Sequence, residues 1–190
     1  MFILGSASPR RKAILESANF IFETVPNGFD ESSVSFDVDV EKFVETMAFE
    51  KAKYLLDKYQ DKVILSADTV VEVDGKILGK PVDEADAEKM LNMLSDRSHN
   101  VFTGVCIISS EKVISFVESA TVYFNKLSSL DIKQYVQTNE PMDKAGAYAI
   151  QGIGSKFIKS YEGDFHTIMG LPLKIVIEKL KAFEIYPNIK

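Results

Sequence analysis

Apolar residues recur along the chain with two different spacings, and the spacing changes from segment to segment. In residues 40–59 they follow helical spacing, which predicts a long amphipathic helix. The residues that carry this pattern are Phe43, Val44, Met47, Ala48, Ala52, Leu55 and Leu56. Shorter helices are predicted after the capping residue Ser8, over 85–94 after Asp83, from Ser128 or Ser129 to about 137, and over 171–183.

Short apolar or alternating runs between these helices predict the strands. Residues 63–73 predict a strand interrupted by Asp68 and Thr69, and Asp74-Gly75 predicts a hairpin turn into residues 76–78. Residues 100–109 and 112–124 predict two long antiparallel strands, and residues 2–4, 20–25 and 156–161 predict shorter ones. Because helices and strands alternate, we expect an α/β fold with a mixed sheet.

Composition limits the classes of protein that the chain can represent. Its 190 residues, of which 46% are hydrophobic, suit one domain or one domain with two lobes. A net charge of -6 argues against a general nucleic-acid or membrane-surface binder, so local cations must hold any anionic ligand. The single cysteine, Cys106, lies in an apolar run, which favours a core thiol over a nucleophile. The chain start does not resemble a signal peptide and no apolar run reaches membrane-spanning length, so a cytoplasmic protein is expected.

Ser6-Ala-Ser-Pro-Arg-Arg11 joins the first strand to the first helix. A helix start presents free backbone N–H groups, and the segment adds the hydroxyl groups of Ser6 and Ser8 and the guanidinium groups of Arg10 and Arg11. Together these groups suit a polyphosphate. The alternative is an ordinary capped surface helix with solvated arginines.

Asp68 stands in the middle of the apolar run Ile64-Leu-Ser-Ala-Asp-Thr-Val-Val71. An aspartate is costly to bury without a partner or a cation, so Asp68 is a candidate metal ligand or general base. The alternative is a structural aspartate bonded to the backbone or to a lysine. Glu31, Glu140 and Asp143 are further acids, and such hard oxygen ligands suit Mg²⁺ or Mn²⁺.

Residues 140–152 follow neither helical nor strand spacing although they are rich in functional groups, which is typical of a segment that shapes a site. Lys80 stands beside the rigid Pro81, but this stretch lacks the spacing and hydroxyl residue of a phosphate-binding loop. Lys51 on the long helix could reach inward, but the sequence alone favours a solvated helix lysine. His166 is placed in a loop that either lines a pocket or forms a turn.

With these segments in this order, the chain resembles the Maf family of nucleoside triphosphate pyrophosphatases. The motifs that carry the resemblance are Ser6-Ala-Ser-Pro-Arg-Arg11, Glu50-Lys-Ala-Lys53, Ser66-Ala-Asp-Thr-Val-Val71, Gly79-Lys-Pro81, Thr103-Gly-Val105, Glu140-Pro-Met-Asp-Lys-Ala-Gly-Ala-Tyr-Ala-Ile-Gln-Gly152 and Gly170-Leu-Pro172. The resemblance implies one domain over residues 1–190, with an elongated mixed sheet flanked by helices. It also implies two lobes and a central cleft, as in inosine-triphosphate pyrophosphatases, and a homodimer.

The resemblance also implies hydrolysis of a nucleoside triphosphate between its α and β phosphates. The residue matching the family's proton acceptor is Asp68, and Arg10, Thr69 and Gln151 match its specificity positions. They agree with the branch acting on dTTP and UTP, whereas the branch acting on 7-methyl-GTP has Glu and Gln in place of Gln151 and Thr69. A glutamine amide can answer both the acceptor and the donor on a uracil or thymine edge.

The resulting mechanistic hypothesis gives each candidate residue a role. Asp68 and Glu31 hold Mg²⁺ or Mn²⁺, and Asp68 acts as base toward the attacking water. Phosphate charge is neutralised by Arg10, Arg11, Lys51 and Lys80, while Ser6 and Ser8 orient phosphate oxygens. Lys144 either contacts phosphate or pairs with Asp68. The alternative function is a nucleotide-binding regulator of cell division and septum formation with vestigial catalysis.

Overall fold

The computed structural model of the chain describes residues 1–35 and 39–188. The strands are β1 (Phe2–Leu4), β2 (Phe22–Thr24), β3 (Ile64–Val73), β4 (Lys76–Leu78), β5 (Ser98–Ile108), β6 (Val113–Phe124) and β7 (Ile158–Glu162). The α-helices are α1 (Pro9–Ser17), α2 (Val40–Leu56), α3 (Glu84–Leu94), α4 (Ser129–Val136), α5 (Phe165–Met169) and α6 (Leu173–Leu180). Short 3₁₀ turns cover Glu31–Ser33, Glu140–Asp143, Ala145–Ala147, Ile153–Phe157 and Lys181–Phe183.

In the described ranges the strands form one seven-stranded sheet in the order β2-β1-β3-β5-β6-β7, with β4 paired to β3. Strand β1 lies parallel to β2 and β3, whereas β3 with β4 and β6 with β7 are antiparallel. The predicted mixed α/β class is therefore confirmed. None of the helices in the described part of the chain combines the length and hydrophobicity that crossing a membrane requires.

The chain divides into two compact units. Unit 1 comprises Met1–Asp68, Thr103–Glu118 and Met169–Lys190, and unit 2 comprises Thr69–Phe102 and Ser119–Ile168. Strands β3, β5 and β6 each supply residues to both units. The cleft expected from the family resemblance, the elongated form and the single-domain assignment stay predictions.

Helix α2 supplies much of the core of unit 1. Asp39 caps its start by accepting a hydrogen bond from the Lys42 N–H at 3.2 Å. Its buried face packs with strand residues in a cluster made of Ile3, Ala48, Ala52, Leu55, Ile64, Cys106 and Ile108. Strand β5 comes so close to this helix that a Cβ on Gly104 would stand 2.3 Å from the Val44 carbonyl oxygen. The glycine of Thr103-Gly-Val105 is therefore required by packing.

Two elements differ from the sequence-based expectation. Strand β3 runs through Asp68 and Thr69 without the predicted interruption, because both residues keep extended pairing geometry within Ile64–Val73. The predicted loop around His166 forms the short helix α5, and the last helix begins at Leu173, with Pro172 at its N-cap. The interpretation of Cys106 as a core thiol is confirmed, and burial raises its pKa to about 11.

His99 is buried in unit 2, where its Nε2 lies 2.7 Å from the Tyr148 hydroxyl oxygen. The rings of Phe124 and Tyr148 meet the imidazole edge-on at 4.9 and 5.3 Å between centroids. Burial, assisted by the charge of Arg97, lowers the pKa of His99 from 6.5 to about 4. The imidazole is therefore neutral in the folded protein at physiological pH.

This neutral imidazole predicts a loss of stability in acid. Between pH 6.5 and about 4 the unfolded chain binds a proton at His99 that the folded chain does not, so falling pH favours unfolding. We expect the free energy of unfolding to fall by up to about 3 kcal/mol across this window from His99 alone. Urea unfolding over a pH series measures it. His99→Gln should flatten the dependence and His166→Gln should not; parallel curves for wild type and His99→Gln would contradict the assignment.

Candidate active site

Three charged side chains of unit 1 meet at the Lys51 ammonium. Its Nζ lies 2.7 Å from the Asp68 Oδ1 and 2.8 Å from the Glu31 Oε1. The side chains of Lys51 and Asp68 are 9% and 14% exposed, whereas that of Glu31 is 58% exposed. The first pair is thus largely withdrawn from water, and the second carboxylate reaches in from the surface.

The direction of Lys51 follows from its position on helix α2. Residue 51 comes four after Met47 and four before Leu55, which places it on the buried face. Its interpretation as a solvated lysine is wrong, because the side chain turns inward to Asp68. The helical spacing is the signal that could have identified this inward position.

Asn27 is a residue of this region that sequence reasoning missed. Its Nδ2 donates a hydrogen bond to the Lys51 carbonyl oxygen at 2.7 Å, and its Oδ1 accepts one from the Phe29 N–H at 2.9 Å. Asn27 thereby ties the segment leading to Glu31 against helix α2. The Asn27-Gly28 pair, a common turn signal, could have drawn attention to it.

Asp68 lies on β3, an interior strand of the sheet. Strand β3 has β1 and β5 as sheet neighbours, and a Cβ on Gly5 after β1 would lie 2.5 Å from the buried Ser66 Oγ. The chain after β1 thus packs directly against β3 two residues before Asp68, whose carboxylate accepts a hydrogen bond from Lys51. The structure therefore supports the lysine-bonded alternative for Asp68, and such bonding is equally compatible with a catalytic carboxylate.

The segment from Ser6 to Arg11 is built around the Ser6 hydroxyl. The Ser6 Oγ accepts hydrogen bonds from the Ser8 N–H at 3.1 Å and from the Arg11 Nη1 at 3.3 Å. Ser8 occupies the predicted N-cap position of α1, but in the described chain its side chain makes no capping hydrogen bond. Its hydroxyl group is therefore not committed to the helix.

Arg11 is fixed at both ends of its guanidinium group. Its Nε donates to the Gly170 carbonyl oxygen at 2.8 Å, which gives the Gly170-Leu-Pro172 motif a structural role that the sequence did not reveal. Burial lowers the pKa of Arg11, while the charge of Asp68 opposes that shift. Arg11 and Asp68 thus lie within electrostatic reach of each other, and Arg10 precedes Arg11 on the first turn of α1.

The other candidate residues belong to unit 2. Thr69 follows Asp68 on β3, and Lys80 is exposed after β4. The Gly146 N–H donates to the Gly79 carbonyl oxygen at 3.0 Å, which joins the Lys80 segment to residues 140–152. Lys144 donates to the Glu140 carbonyl oxygen at 3.0 Å and pairs with the Asp143 carboxylate, and Gln151 is exposed. The substrate-binding roles of these residues stay predictions.

The carboxylates of Asp68 and Glu31 bring together two oxygen donors of the kind that hard divalent cations prefer. Both carboxylate oxygens lie within 2.8 Å of one point, the Lys51 Nζ. Among the described residues there is no group of three or more His, Cys, Asp or Glu side chains that could hold a metal ion. Two carboxylates supplemented by water and substrate phosphates suit Mg²⁺, which is rarely caged by protein alone.

Comparison with known proteins gives consistent results. A family model described as Maf-like protein matches residues 1–183. The dTTP/UTP pyrophosphatase of Acholeplasma laidlawii is 65% identical over 190 residues, covering 100% of both chains. The dTTP/UTP pyrophosphatase of Bacillus cytotoxicus is 41% identical over 183 residues, covering 96% of this chain and 95% of its own. These matches confirm the resemblance found in the sequence.

Two solved structures also align along most of the chain. The Ham1 protein of Staphylococcus aureus has a TM-score of 0.49 and 17% identity, covering 96% of this chain and 97% of its own. A nucleoside-triphosphatase described as a dITP/XTP pyrophosphatase, from Mycobacterium abscessus, has a TM-score of 0.47 and 16% identity, covering 96% of each chain.

The pairing of Lys51 with Asp68 predicts a measurable coupling. Lys51→Met leaves the Asp68 carboxylate largely buried without its cation, so the free energy of unfolding should fall by about 2 kcal/mol or more. Adding Asp68→Asn should recover at least about half of the loss, since the uncompensated charge is removed. Urea unfolding of the single and double variants measures this.

Glu31→Gln in the Lys51→Met background is the matched control. Because Glu31 is mostly exposed, it should recover little of the lost stability. Recovery by Glu31→Gln but not by Asp68→Asn would show that the buried pair has been assigned to the wrong carboxylate.

Proposed function

This chain belongs to the Maf-like protein family, and on that premise we propose that it hydrolyses dTTP and UTP to the nucleoside monophosphate and pyrophosphate. Relatives named dTTP/UTP pyrophosphatase, one of them 65% identical over its full length, support this activity. The function fits a house-cleaning enzyme that removes unwanted pyrimidine nucleotides. Nothing in the comparisons favours the alternative, a regulator of cell division with vestigial catalysis.

The observation that carries the proposal is the carboxylate of Asp68, held 2.7 Å from the Lys51 ammonium and within electrostatic reach of Arg11. An acid among phosphate-binding cations repels phosphate unless it holds a metal ion or takes part in the reaction, so its presence favours an enzyme over a protein that only binds nucleotide. A general base must keep one orientation, and the Lys51 hydrogen bond supplies it. Asp68 is accordingly assigned to the water that attacks the α phosphorus.

The proposed reaction is a hydrolysis at the α phosphorus with Asp68 as the base. Water forms a bond to the α phosphorus and gives one proton to Asp68, while the bond from that phosphorus to the bridging oxygen breaks. The bonding electrons leave with pyrophosphate. Arg10, Arg11 and Lys51 neutralise the charge that develops on the phosphoryl oxygens, as electrostatic stabilisation of such a transfer requires.

The first turn of α1 is the proposed phosphate cradle within unit 1. Helix starts favour anions through their free N–H groups, and Pro9 at the first position supplies the fixed backbone angle. The hydroxyl groups of Ser6 and Ser8 add polar contacts. Lys80 and Lys144 are proposed as further phosphate ligands.

We assign Asp68 and Glu31 as the residues that would hold Mg²⁺ or Mn²⁺. When bound, the cation supplies charge neutralisation at the phosphates and makes the attacking water more acidic. Lys51 touches both carboxylates, so it keeps them together before any cation arrives.

Base choice is assigned to Arg10, Thr69 and Gln151, which match the specificity positions of the branch acting on dTTP and UTP. The exposed amide of Gln151 can accept from the N3–H of thymine or uracil and donate to the adjacent carbonyl group. A homodimer is proposed from the resemblance, and the cytoplasmic location expected from the sequence stays a proposal. The proposed partner is a nucleotide, with neither nucleic acid nor a membrane.

A nucleotide panel tests the activity. Wild-type protein with Mg²⁺ or Mn²⁺ should release pyrophosphate from dTTP and UTP faster than from purine triphosphates, and Asp68→Asn should lower kcat by a factor of about a hundred or more. Pyrophosphate and orthophosphate are measured separately, and calorimetry follows dTTP binding by the variant.

Each outcome separates the candidate functions. Orthophosphate release from dTTP would exclude cleavage between the α and β phosphates. Intact binding without turnover by wild type would favour the regulator. Asp57→Asn, a change at an aspartate just after α2 and outside the proposed site, is the control and should leave kcat unchanged.

A further inference from the structure

The Glu140 carboxylate in unit 2 accepts hydrogen bonds on both of its oxygens. Oε1 accepts from the Tyr135 hydroxyl and from the Gly154 N–H, each at 2.9 Å, and Oε2 accepts from the Ile153 N–H at 3.0 Å. Tyr135 belongs to helix α4 and is almost completely buried. A single side chain thus joins α4 to the segment that directly follows Gln151.

Two glycines allow the backbone of this segment to reach the carboxylate. Gly152 has φ 101°, a conformation that side chains disfavour, and a Cβ there would lie 2.7 Å from the Glu140 Oε2. A Cβ on Gly154 would lie 2.5 Å from the Tyr135 hydroxyl oxygen. Residues 152–154 therefore have no room to shift toward Glu140. They also cannot move away from it without losing the hydrogen bonds that the Ile153 and Gly154 N–H groups donate.

Glu140 carries a negative charge in this setting. Burial acts to raise its pKa, but hydrogen bonds from the Gly154 and Ile153 N–H groups and from Tyr135 reverse the shift and lower the pKa. Hydrogen bonds to a charged acceptor are stronger than neutral ones. An anion with both oxygens engaged in this way is well suited to hold backbone and poorly suited to act as a base.

We propose that Glu140 is a positioning residue for pyrimidine recognition, fixing the backbone next to Gln151 so that the Gln151 amide meets the base in one place. The inference rests on the proposed function, in which Gln151 reads the base. The geometry behind it is independent of that function: Glu140 accepts hydrogen bonds from the N–H groups of Ile153 and Gly154, the first of which lies two residues after Gln151.

Fixed placement matters because a glutamine amide can serve either pyrimidine edge. Thymine and uracil present an N3–H donor beside a carbonyl acceptor, and cytosine presents an N3 acceptor beside an amino donor. The terminal torsion can turn the amide to suit either edge, while the backbone position decides how closely the amide approaches the base. An anchored backbone places the amide to pair with a thymine or uracil edge, so loss of the anchor should weaken dTTP binding more than dCTP binding. Glu140 is the anchor that the structure shows beside Gln151.

Glu140→Gln is the decisive variant because it keeps the shape of the side chain. One carboxylate oxygen becomes an NH₂ group, which faces a backbone N–H or the tyrosine hydroxyl and cannot accept from it. We expect KM for dTTP to rise about tenfold while kcat changes less than about threefold, since base contacts contribute equally to substrate and transition-state binding. The ratio of kcat/KM for dTTP to that for dCTP should fall by about tenfold.

Two further variants and a binding measurement accompany it. Tyr135→Phe removes one hydrogen bond and leaves both backbone bonds. KM for dTTP should therefore rise, and the ratio of kcat/KM for dTTP to that for dCTP should fall, each by about threefold. Glu162→Gln changes another glutamate that bonds a tyrosine, Tyr123, at 3.1 Å, and should alter neither quantity. Calorimetry with dTMP and dCMP measures base preference without turnover, and thermal unfolding reports the stability of each variant.

The proposal is supported if Glu140→Gln raises KM for dTTP and lowers the ratio of kcat/KM for dTTP to that for dCTP, while Glu162→Gln changes neither. A folded Glu140→Gln protein with wild-type KM and ratio overturns it and leaves the proposed function standing. Lower stability or kcat with an unchanged ratio also overturns it, since a purely structural role predicts that result. If Glu140→Gln does not fold, Tyr135→Phe decides by the same criteria. A wild-type protein that neither binds nor hydrolyses dTTP refutes the proposed function and the inference together.

Discussion

The ion pair between Lys51 and Asp68 is the interaction on which the candidate site depends. Two opposite charges placed among apolar residues are tolerated only when they meet each other closely, and removal of either one leaves the other uncompensated. The pair joins the buried face of α2 to the middle of β3, and Asn27 links the Lys51 backbone to the segment that carries Glu31. Its position therefore fixes both carboxylates that the proposed chemistry uses.

The chain uses carboxylates in two physically different ways. Asp68 and Glu31 face an ammonium group and keep partial access to solvent, so a cation or a water molecule can still reach them. Glu140 instead has both oxygens engaged by N–H and O–H donors that belong to the protein itself. The first arrangement suits a reacting group, and the second suits a group that holds its neighbours in place. Residue type alone does not distinguish them, whereas the identity of the donors does.

Much of the fold follows from local rules that the sequence displays. The spacing of apolar residues predicts α2, Asp83 and Ser128 cap the helices that they were expected to cap, and the turn at Asp74-Gly75 joins β3 to β4 as predicted. The interruption expected in β3 was wrong, since a strand tolerates a polar residue once that residue has a partner. Helix α5 was missed because its five residues are too few to show a period.

Contacts between distant residues explain what the sequence did not predict about the site. The Arg11 bond to the Gly170 carbonyl joins residues 159 positions apart, and the clamp of Glu140 on Ile153 and Gly154 joins residues 13 and 14 apart. No local pattern reports such partners. The motifs did indicate which segments matter, and the structure supplies physical reasons for several of their glycines, among them Gly104 and Gly152.

The position of water attack tests the central claim most directly. Asp68 is assigned to a water molecule that attacks the α phosphorus, so dTTP hydrolysed in water enriched in heavy oxygen should place the label in dTMP and leave pyrophosphate unlabelled. Mass spectrometry of dTMP and pyrophosphate, taken before the dTTP is fully converted, measures the position of the label. Label in pyrophosphate would mean attack at the β phosphorus and would contradict the role assigned to Asp68.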